Sequence, residues 1–553
     1  MTWASVRSSA RALLPSRGDY AHAGRTWRGD LLAGLTVGIV ALPLALGFGV
    51  SSGLSAEAGL ITAVVAGFLA AVFGGSQVQV SGPTGAMVVV LVPIVAAHGV
   101  GAVAVVSLLA GVIVVVAGVL RLGRAVSFIP WPVIEGFTLG IGVIIFAQQI
   151  PALVSPHTPA ASEHSSNALV AAAQSLAGLD PAYLLWALGA VAVVAACMLI
   201  APRVHRALPG SLVGIVVVTL LCIVLPAPLA RIGALPASFP APTLPTLDVA
   251  TLGALVAPAL TVGALAAIES LLSARVATTL ADTGPFDPDR ELVGQGLASI
   301  GSALFGGMPA TGAIARTAVN VRSGGRSRIA AIVHAVVLLA VVLVASGPVG
   351  AIPLAALAGV LMVTAVRMVH LGTVRALLRS TRADAVAFVA TAVITVSFDL
   401  IVAVAIGVVF AGIVAVRGLA RASSVRREPL AGPAQPGDGR IAVLCIEGPL
   451  FFAGADRVRA AVDAVDGVDV VILRMSRVEL VDATGARALE EIVHSLERRG
   501  VTVLIKGIQP QHDSLFRTVG VLAALRHHNH LFDDLPSAIA HARSHVRRET
   551  ATA

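Results

Sequence analysis

Long apolar runs fill the chain from about residue 30 to about residue 420, divided by short polar, Gly- or Pro-bearing gaps. A bilayer-crossing helix needs about 20 mostly apolar residues. On that scale the first half predicts spans over residues 30–50, 58–75, 102–120, 133–150, 182–201 and 210–225, with an interrupted third span around 77–86. The second half predicts spans over 252–279, 329–346, 353–368, 385–398 and 400–417. It adds a short ninth span after the Asp-, Pro- and Gly-rich loop 282–290, and an interrupted tenth at 305–316. The pattern thus predicts an all-α membrane domain of fourteen spans over 30–420, in two halves of about 30–245 and 246–420. Beyond a polar linker at 421–439, runs at 440–446, 468–475 and 501–508 read as strands, and runs at 455–465, 485–499, 513–521 and 535–546 as helices. Strands alternating with helices predict an α/β domain over 440–546.

The two interrupted spans echo each other. Residues 73–86 read FGGSQVQVSGPTGA and residues 305–316 read FGGMPATGAIAR. Both carry Phe-Gly-Gly, a proline and Thr-Gly-Ala. Paired Gly/Pro-interrupted apolar segments at matching places in two halves point to a transporter's binding site. Non-helical backbone at membrane depth survives only where protein or a water-filled cavity surrounds it. The alternating QVQV at 77–80 predicts extended chain, with the helix resuming near Pro83, a residue suited to a first helical turn. The tenth span is expected to break before Pro309.

Composition agrees: the chain is 57% hydrophobic and 12% charged, against about 25% charged in soluble proteins. The net charge of +8 predicts no nucleic-acid binding, because the arginines fall in short gaps and not on one face. They gather after the even-numbered spans, with Arg231 the exception. Under the positive-inside rule, the basic segment 1–29 and the α/β domain are then cytoplasmic, at the inner membrane. An odd number of spans per half makes the second repeat inverted relative to the first. The helical N-termini of the third and tenth spans then meet near the midplane, offering an anion free N–H groups and positive dipole ends. Cys197, Cys222 and Cys445 have neither metal-ligand spacing nor a secretory pairing pattern. His157, His164, His205, His527, His528 and His530 fall in loops without fixed ligand spacing. No cleavable leader is expected, since no small-residue cleavage site precedes the first span; without a nucleophile–base pair or phosphate loop, no enzyme activity, cofactor or metal is expected either.

Glu269 lies deep in the eighth span. A carboxylate there costs about 2.5–3.5 kcal/mol on insertion scales and is functional by default. It reads as a proton carrier, because apolar surroundings penalise an ionised carboxyl, or as a residue that merely pairs with a neighbouring helix. Ser273, one turn on, shares its face. Arg316 reads as an anion ligand or as the neutraliser of Glu269. The alternative is a basic stop at a helix end, since Arg322 follows soon after. Pro83, Thr84, Gly85 and Ala86, with Thr311, Gly312 and Ala313, form the candidate substrate wall, the threonines adding hydroxyls beside the free N–H groups. Glu135, Gln148, Gln149, Gln295 and Asp399 read as helix-to-helix glue. In the α/β domain, Asp482 or Thr484 is placed to cap the following helix. Thr484 is also a candidate phosphorylation site, because a phosphate at a helix N-terminus is favourable.

Four ordered stretches, 30–43 (DLLAGLTVGIVALP), 81–86 (SGPTGA), 267–273 (AIESLLS) and 309–320 (PATGAIARTAVN), resemble the SulP family of anion transporters. Residues 440–545 resemble its C-terminal STAS domain, with 482–485 at the signature turn. The resemblance implies the fourteen-span, uracil-permease-like fold, a mobile core domain against a gate domain, and commonly a homodimer. It also implies an anion held between the third and tenth helices, near the acidic residue of the eighth.

Two departures bear on substrate. Many sulfate-type members have a Gln after the first-span proline, where this chain has Leu44; residues 41–53 look more like the bicarbonate branch. That branch's sodium site is similar to an Asp at Glu269 and a Thr at Ile314, and the branch lacks an arginine at Arg316. A longer carboxylate and a lost hydroxyl weaken a site for a hard, oxygen-seeking cation. The expected function is secondary active transport of a small anion through the lipid bilayer, sulfate favoured, coupled to a proton by a rocking core. The alternatives are sodium-coupled bicarbonate transport, proton-coupled dicarboxylate transport, nucleobase transport, or a membrane-tethered STAS signalling protein.

Overall fold

The computed structural model describes residues 13–21, 23–124, 130–155, 167–204, 209–235, 238–245, 249–280, 282–397 and 400–552. His157, His164, His205, Asp399 and the first part of the basic segment 1–29 lie outside them. The chain divides into two compact units, Met1–Val408 and Val409–Ala553.

Fourteen spans follow in the predicted order. The first seven are Ala23–Ser51, Ala56–Phe73, an interrupted third ending in the helix Gly85–His98, Gly101–Val119, Trp131–Gln148, Pro181–Val204 and Gly210–Val224. The second seven are Val249–Leu280, Pro288–Leu304, an interrupted tenth ending in the helix Ile314–Arg322, Arg328–Val344, Leu354–Met368, Arg382–Ser397 and Leu400–Ala422. The halves are inverted repeats, as seven spans apiece require. Seven of the described helices are long and apolar enough to cross a membrane unaided. The helices of the third and tenth spans, 14 and 9 residues, are too short to do so. Thr84 is the N-cap of the third-span helix, so Pro83 stands in the extended lead-in and not in the first helical turn expected of it.

Spans one to four pack with eight to eleven as one bundle, and five to seven with twelve and thirteen as another. Lipid is as apolar as leucine, so helices associate in it where small residues let backbones touch. Gly111 of the fourth span and Gly296 of the ninth do this reciprocally: a Cβ on Gly296 would stand 2.5 Å from the Gly111 carbonyl oxygen, and one on Gly111 2.7 Å from that of Gly296. A turn at Arg17–Tyr20 is tied to the same bundle by Asp19, which pairs with Arg290 at 2.8 Å and Arg328 at 3.8 Å. Burial pushes the Asp19 carboxyl up, but the Arg290 hydrogen bond, the Ser16 amide and the charges of Arg328 and Arg290 outweigh it and hold its pKa at about 2.

The second unit is a five-stranded sheet. Strands β4 (Ile441–Glu447), β5 (Val470–Arg477), β6 (Thr502–Lys506) and β7 (Leu531–Phe532) run parallel in that order. The stretch expected to be linker contains β3 (Ser424–Glu428), antiparallel to β4 at the sheet edge. Its sequence, SVRRE, shows no apolar alternation because charges guard an edge strand; Glu428 is held there by Arg474 at 2.8 Å. Alternate strand residues face opposite sides. Ala442, Leu444 and Ile446 pack under helices α1 (Ala455–Asp463), α2 (Ala483–Arg498) and α3 (Pro510–Val519). Ile441, Val443 and Ile472 pack under α4 (Leu535–Thr552).

Replacing Gly296 by valine is expected to destabilise the protein in detergent by about 1–3 kcal/mol, the usual range for overpacking. Gly189→Val, where an added Cβ meets nothing within 4 Å, should leave the thermal midpoint unchanged. Equal midpoints for the two variants would contradict the close crossing.

Candidate functional site

The two sequence breaks meet. Strand β1 (Ser81–Gly82) pairs antiparallel with β2 (Thr311–Gly312), Ser81 opposite Gly312 and Gly82 opposite Thr311. Ala313 N–H donates to the Val80 carbonyl at 2.9 Å. Several other peptide groups of the breaks bond to side chains. Val80 N–H donates to Thr317 Oγ1 (3.0 Å), and Asn320 Nδ2 donates to the Val78 carbonyl (2.7 Å). Met308 N–H donates to Thr62 Oγ1 (2.7 Å), and Gly312 N–H to Ser270 Oγ (3.0 Å). Such partners permit extended chain at this depth, because each unmet peptide group would cost several kcal/mol.

A second buried carboxylate braces the approach to β1. Glu291 of the ninth span is 2% exposed. Its Oε2 accepts from Gly75 N–H (2.7 Å) and Ser76 N–H (3.0 Å), and its Oε1 from Gln79 Nε2 and Gln295 Nε2 (both 2.9 Å). Gln295 also donates to Ser81 Oγ. Sequence reasoning weighed Gln295 but passed over Glu291. The signal was an acid one helical turn ahead of a glutamine, in an otherwise small-residue span.

Glu269 pairs with the third and tenth spans through hydrogen bonds, with no salt bridge among the described residues. Its Oε2 accepts from Thr84 Oγ1 (2.9 Å) and Thr311 Oγ1 (2.8 Å), and the two hydroxyl oxygens are 3.1 Å apart. The threonines therefore turn toward the carboxylate, and do not add free hydroxyls to the substrate wall as expected. Ser273 is buried but stands 3.4 Å from Thr317 Oγ1; Ser270, its neighbour on the same helix, touches the break.

Arg316 is 2% exposed, which excludes a basic stop at a wet helix end. It donates from Nη2 to the Pro83 carbonyl, and its Nη1 has no hydrogen-bond partner among the described residues. A Cβ on Gly82 would come 2.7 Å from that Nη1, so glycine is what admits the guanidinium. Gly85, Ala86 and Met87 open one helix and Ile314 and Ala315 the other, and leading N–H groups like theirs have no intrahelical acceptor. His334 of the eleventh span is fully buried nearby, with both ring nitrogens unpartnered among the described residues; its ring and the Ser81 carbonyl both lie beside Gly67.

Of the expected glue, Gln149 accepts from Ser51 at 3.3 Å and so links two spans, whereas Glu135 accepts from Trp131 of its own helix. Asp482 caps α2, accepting from Gly485 N–H at 2.7 Å, and leaves Thr484 exposed on the first turn. A groove of about 420 Å³ between the sixth and seventh spans is lined by Leu185, Trp186, Val218 and Leu221. It has no convergent polar groups and is not this site.

This arrangement defines a polytopic membrane transporter with a separate α/β unit. The sequence matches the Sulfate permease family over residues 27–391 and the STAS domain over residues 433–538. The chain therefore belongs to the sulfate permease family, a family of anion transporters and not of enzymes. It is 34% identical over 512 residues to the putative sulfate transporter YvdB of Bacillus subtilis (strain 168), covering 91% of this chain and 96% of that one. It is 31% identical over 517 residues to the bicarbonate transporter BicA of Picosynechococcus sp., covering 88% and 90%. The solved structure of SLC26A9 superposes with a TM-score of 0.82 over 100% of this chain and 96% of that one. At 19% identity, that likeness shows the fold alone.

Truncating Glu291 to alanine would orphan two peptide N–H groups and two amide side chains. Each buried unmet donor costs about 1–3 kcal/mol. The variant is expected to lose most of its folded yield in detergent, as read by size-exclusion chromatography. Wild-type yield and melting would contradict the bracing role.

Proposed function

We propose that the protein is a secondary active transporter of a small anion, sulfate favoured, which binds between Arg316 and the helix N-termini at Gly85 and Ile314. The observation that carries this reading is the unpartnered Nη1 of a buried guanidinium where two broken helices meet. A buried cation with a spare donor favours an anion, and the leading N–H groups of both helices add donors. Sulfate is favoured because its two charges gain most from a buried guanidinium and two helix N-termini. Pro83, Thr84, Gly85 and Ala86 form one wall, and Thr311, Gly312 and Ala313 the other. Ser273 supports the second wall through Thr317.

Glu269 is the proposed proton carrier. A bound sulfate dianion and an ionised Glu269 would set three negative charges beside one guanidinium, so the carboxyl takes a proton when the anion enters. The apolar Ile314 offers no oxygen to a hard cation and argues against sodium. Every site residue comes from the bundle of spans one to four and eight to eleven. That bundle can therefore carry the anion as one body, rocking against the other. We further assign residues 1–29 and the STAS domain (440–546) to the cytoplasm, the transport domain (30–420) to a homodimer in the inner membrane, and Thr484 to a regulatory phosphosite.

Uptake of labelled sulfate, bicarbonate and fumarate into proteoliposomes, with and without a pH gradient, tests the reading. Sulfate should enter fastest, and faster with an inward proton gradient. Arg316→Ala should lower uptake about 30-fold or more, as expected for about 2 kcal/mol or more lost with a buried charged partner. Glu269→Gln should abolish the effect of the gradient while sulfate–sulfate exchange persists. If that variant still accumulates sulfate along the gradient, Glu269 is not the carrier; if none of the three anions enters, the transport reading fails.

A further inference from the structure

We propose that the STAS domain holds a transition-metal site, in which the imidazoles of His530, His541 and His545 bind one zinc-class divalent ion. The run His527, His528, His530 has no ligand spacing by itself. Its complement stands on α4, where His541 and His545 are one turn apart and present both rings to one side. His530 ends the turn His528–His530 just before β7. Ligand nitrogens of the three rings all lie within 4.8 Å of one another. The Nε2 atoms of His541 and His545 are 3.2 Å apart. Two nitrogens on one tetrahedral zinc, with bonds of about 2.0–2.1 Å, stand about 3.3 Å apart. That pair is therefore already at ligand separation, and the third ring reaches it by a side-chain adjustment. Without a metal, one of the two facing nitrogens must keep a proton between them; a metal ion replaces that proton.

His530 supplies the independent observation. It is 1% exposed, yet its Nδ1 has no hydrogen-bond partner among the described residues. The His530 ring packs against those of His541 and His545 at 5.5 and 5.4 Å, and against His527 at 5.3 Å. His527 or a water completes the coordination. Phe532 closes the apolar side, 5.3 Å from His541. Neutral imidazoles select zinc, nickel or copper over magnesium or calcium. A second close group, Glu428, Cys445 and Glu447, is a poor rival. Arg474 and Arg477 already hold its carboxylates and would repel a cation. Binding at the imidazoles would fasten α4 to the β7 edge of the sheet.

The test uses the full chain, purified without a polyhistidine tag, stripped with a chelator and titrated with cobalt(II). One ion per chain should bind at micromolar cobalt with the visible absorption of a tetrahedral site, and zinc should displace it. His530→Gln and His545→Gln should each weaken binding about 100-fold, at the upper end of what even supporting residues of metal sites contribute. His494→Ala, on the exposed face of α2, should leave it unchanged. Zinc should raise the thermal midpoint of the wild type but not of His545→Gln, which separates lost ligation from lost folding. Absence of a saturable visible band, or the same band in His530→Gln and His545→Gln, would overturn the assignment.

Discussion

The antiparallel contact of Ser81 and Gly82 with Thr311 and Gly312 is the constraint on which the membrane domain depends. Two helices are broken where lipid would surround them, and broken backbone there must find partners inside the protein. Strand pairing meets part of the demand. Side chains from the second, eighth, ninth and tenth spans meet more of it: Thr62, Ser270, Glu291, Thr317 and Asn320. Apart from the carboxylate Glu291, these residues bear a hydroxyl or an amide, because each must reach a peptide group without parting the helices. The close approach of Gly294 to Gly74 serves the same end, since a Cβ on Gly294 would stand 2.5 Å from the Gly74 backbone, and it brings the ninth span close enough for Glu291 to reach Gly75 and Ser76.

The buried charges then sort by how their partners are arranged. Glu291 is saturated by four N–H donors, two of them backbone, and cannot shed them without dismantling the lead-in to β1. Glu269 is held by two hydroxyls, which rotate and can accept as readily as they donate. A carboxyl so held keeps hydrogen bonds in either protonation state. Arg316 holds one carbonyl and keeps a donor in reserve. A fixed brace, an adaptable acid and an unfilled cation thus lie around one strand pair.

How much of this could be read in the chain follows from the range of each signal. The breaks were legible because Gly and Pro act locally, and because FGG and TGA recur in both halves. The inversion was legible from where the arginines fall. Glu291 was not, because its four donors are three-dimensional neighbours and two of them are peptide groups with no sequence signature. Helical spacing pointed to Ser273 as the partner of Glu269, whereas the break crosses beside Ser270. The turn of both threonines toward Glu269 was not legible, since a hydroxyl's direction depends on which acceptor is nearest. β3 was hidden for the opposite reason: an edge strand clothed in arginine and glutamate reads as linker. The last helix was predicted, yet the facing of His541 and His545 toward His530 emerges only when β7 brings the turn beneath it.

The central claim is that an oxyanion fills the space between Arg316 Nη1 and the two helix N-termini. A crystal structure of the full chain with selenate, phased at the selenium edge, tests it most directly. The account predicts one anomalous peak per chain within hydrogen-bond reach of Arg316 Nη1 and the N–H groups at the start of the helices Gly85–His98 and Ile314–Arg322. A selenium peak elsewhere in the membrane domain, with that space left without one in protein that transports selenate, would contradict it.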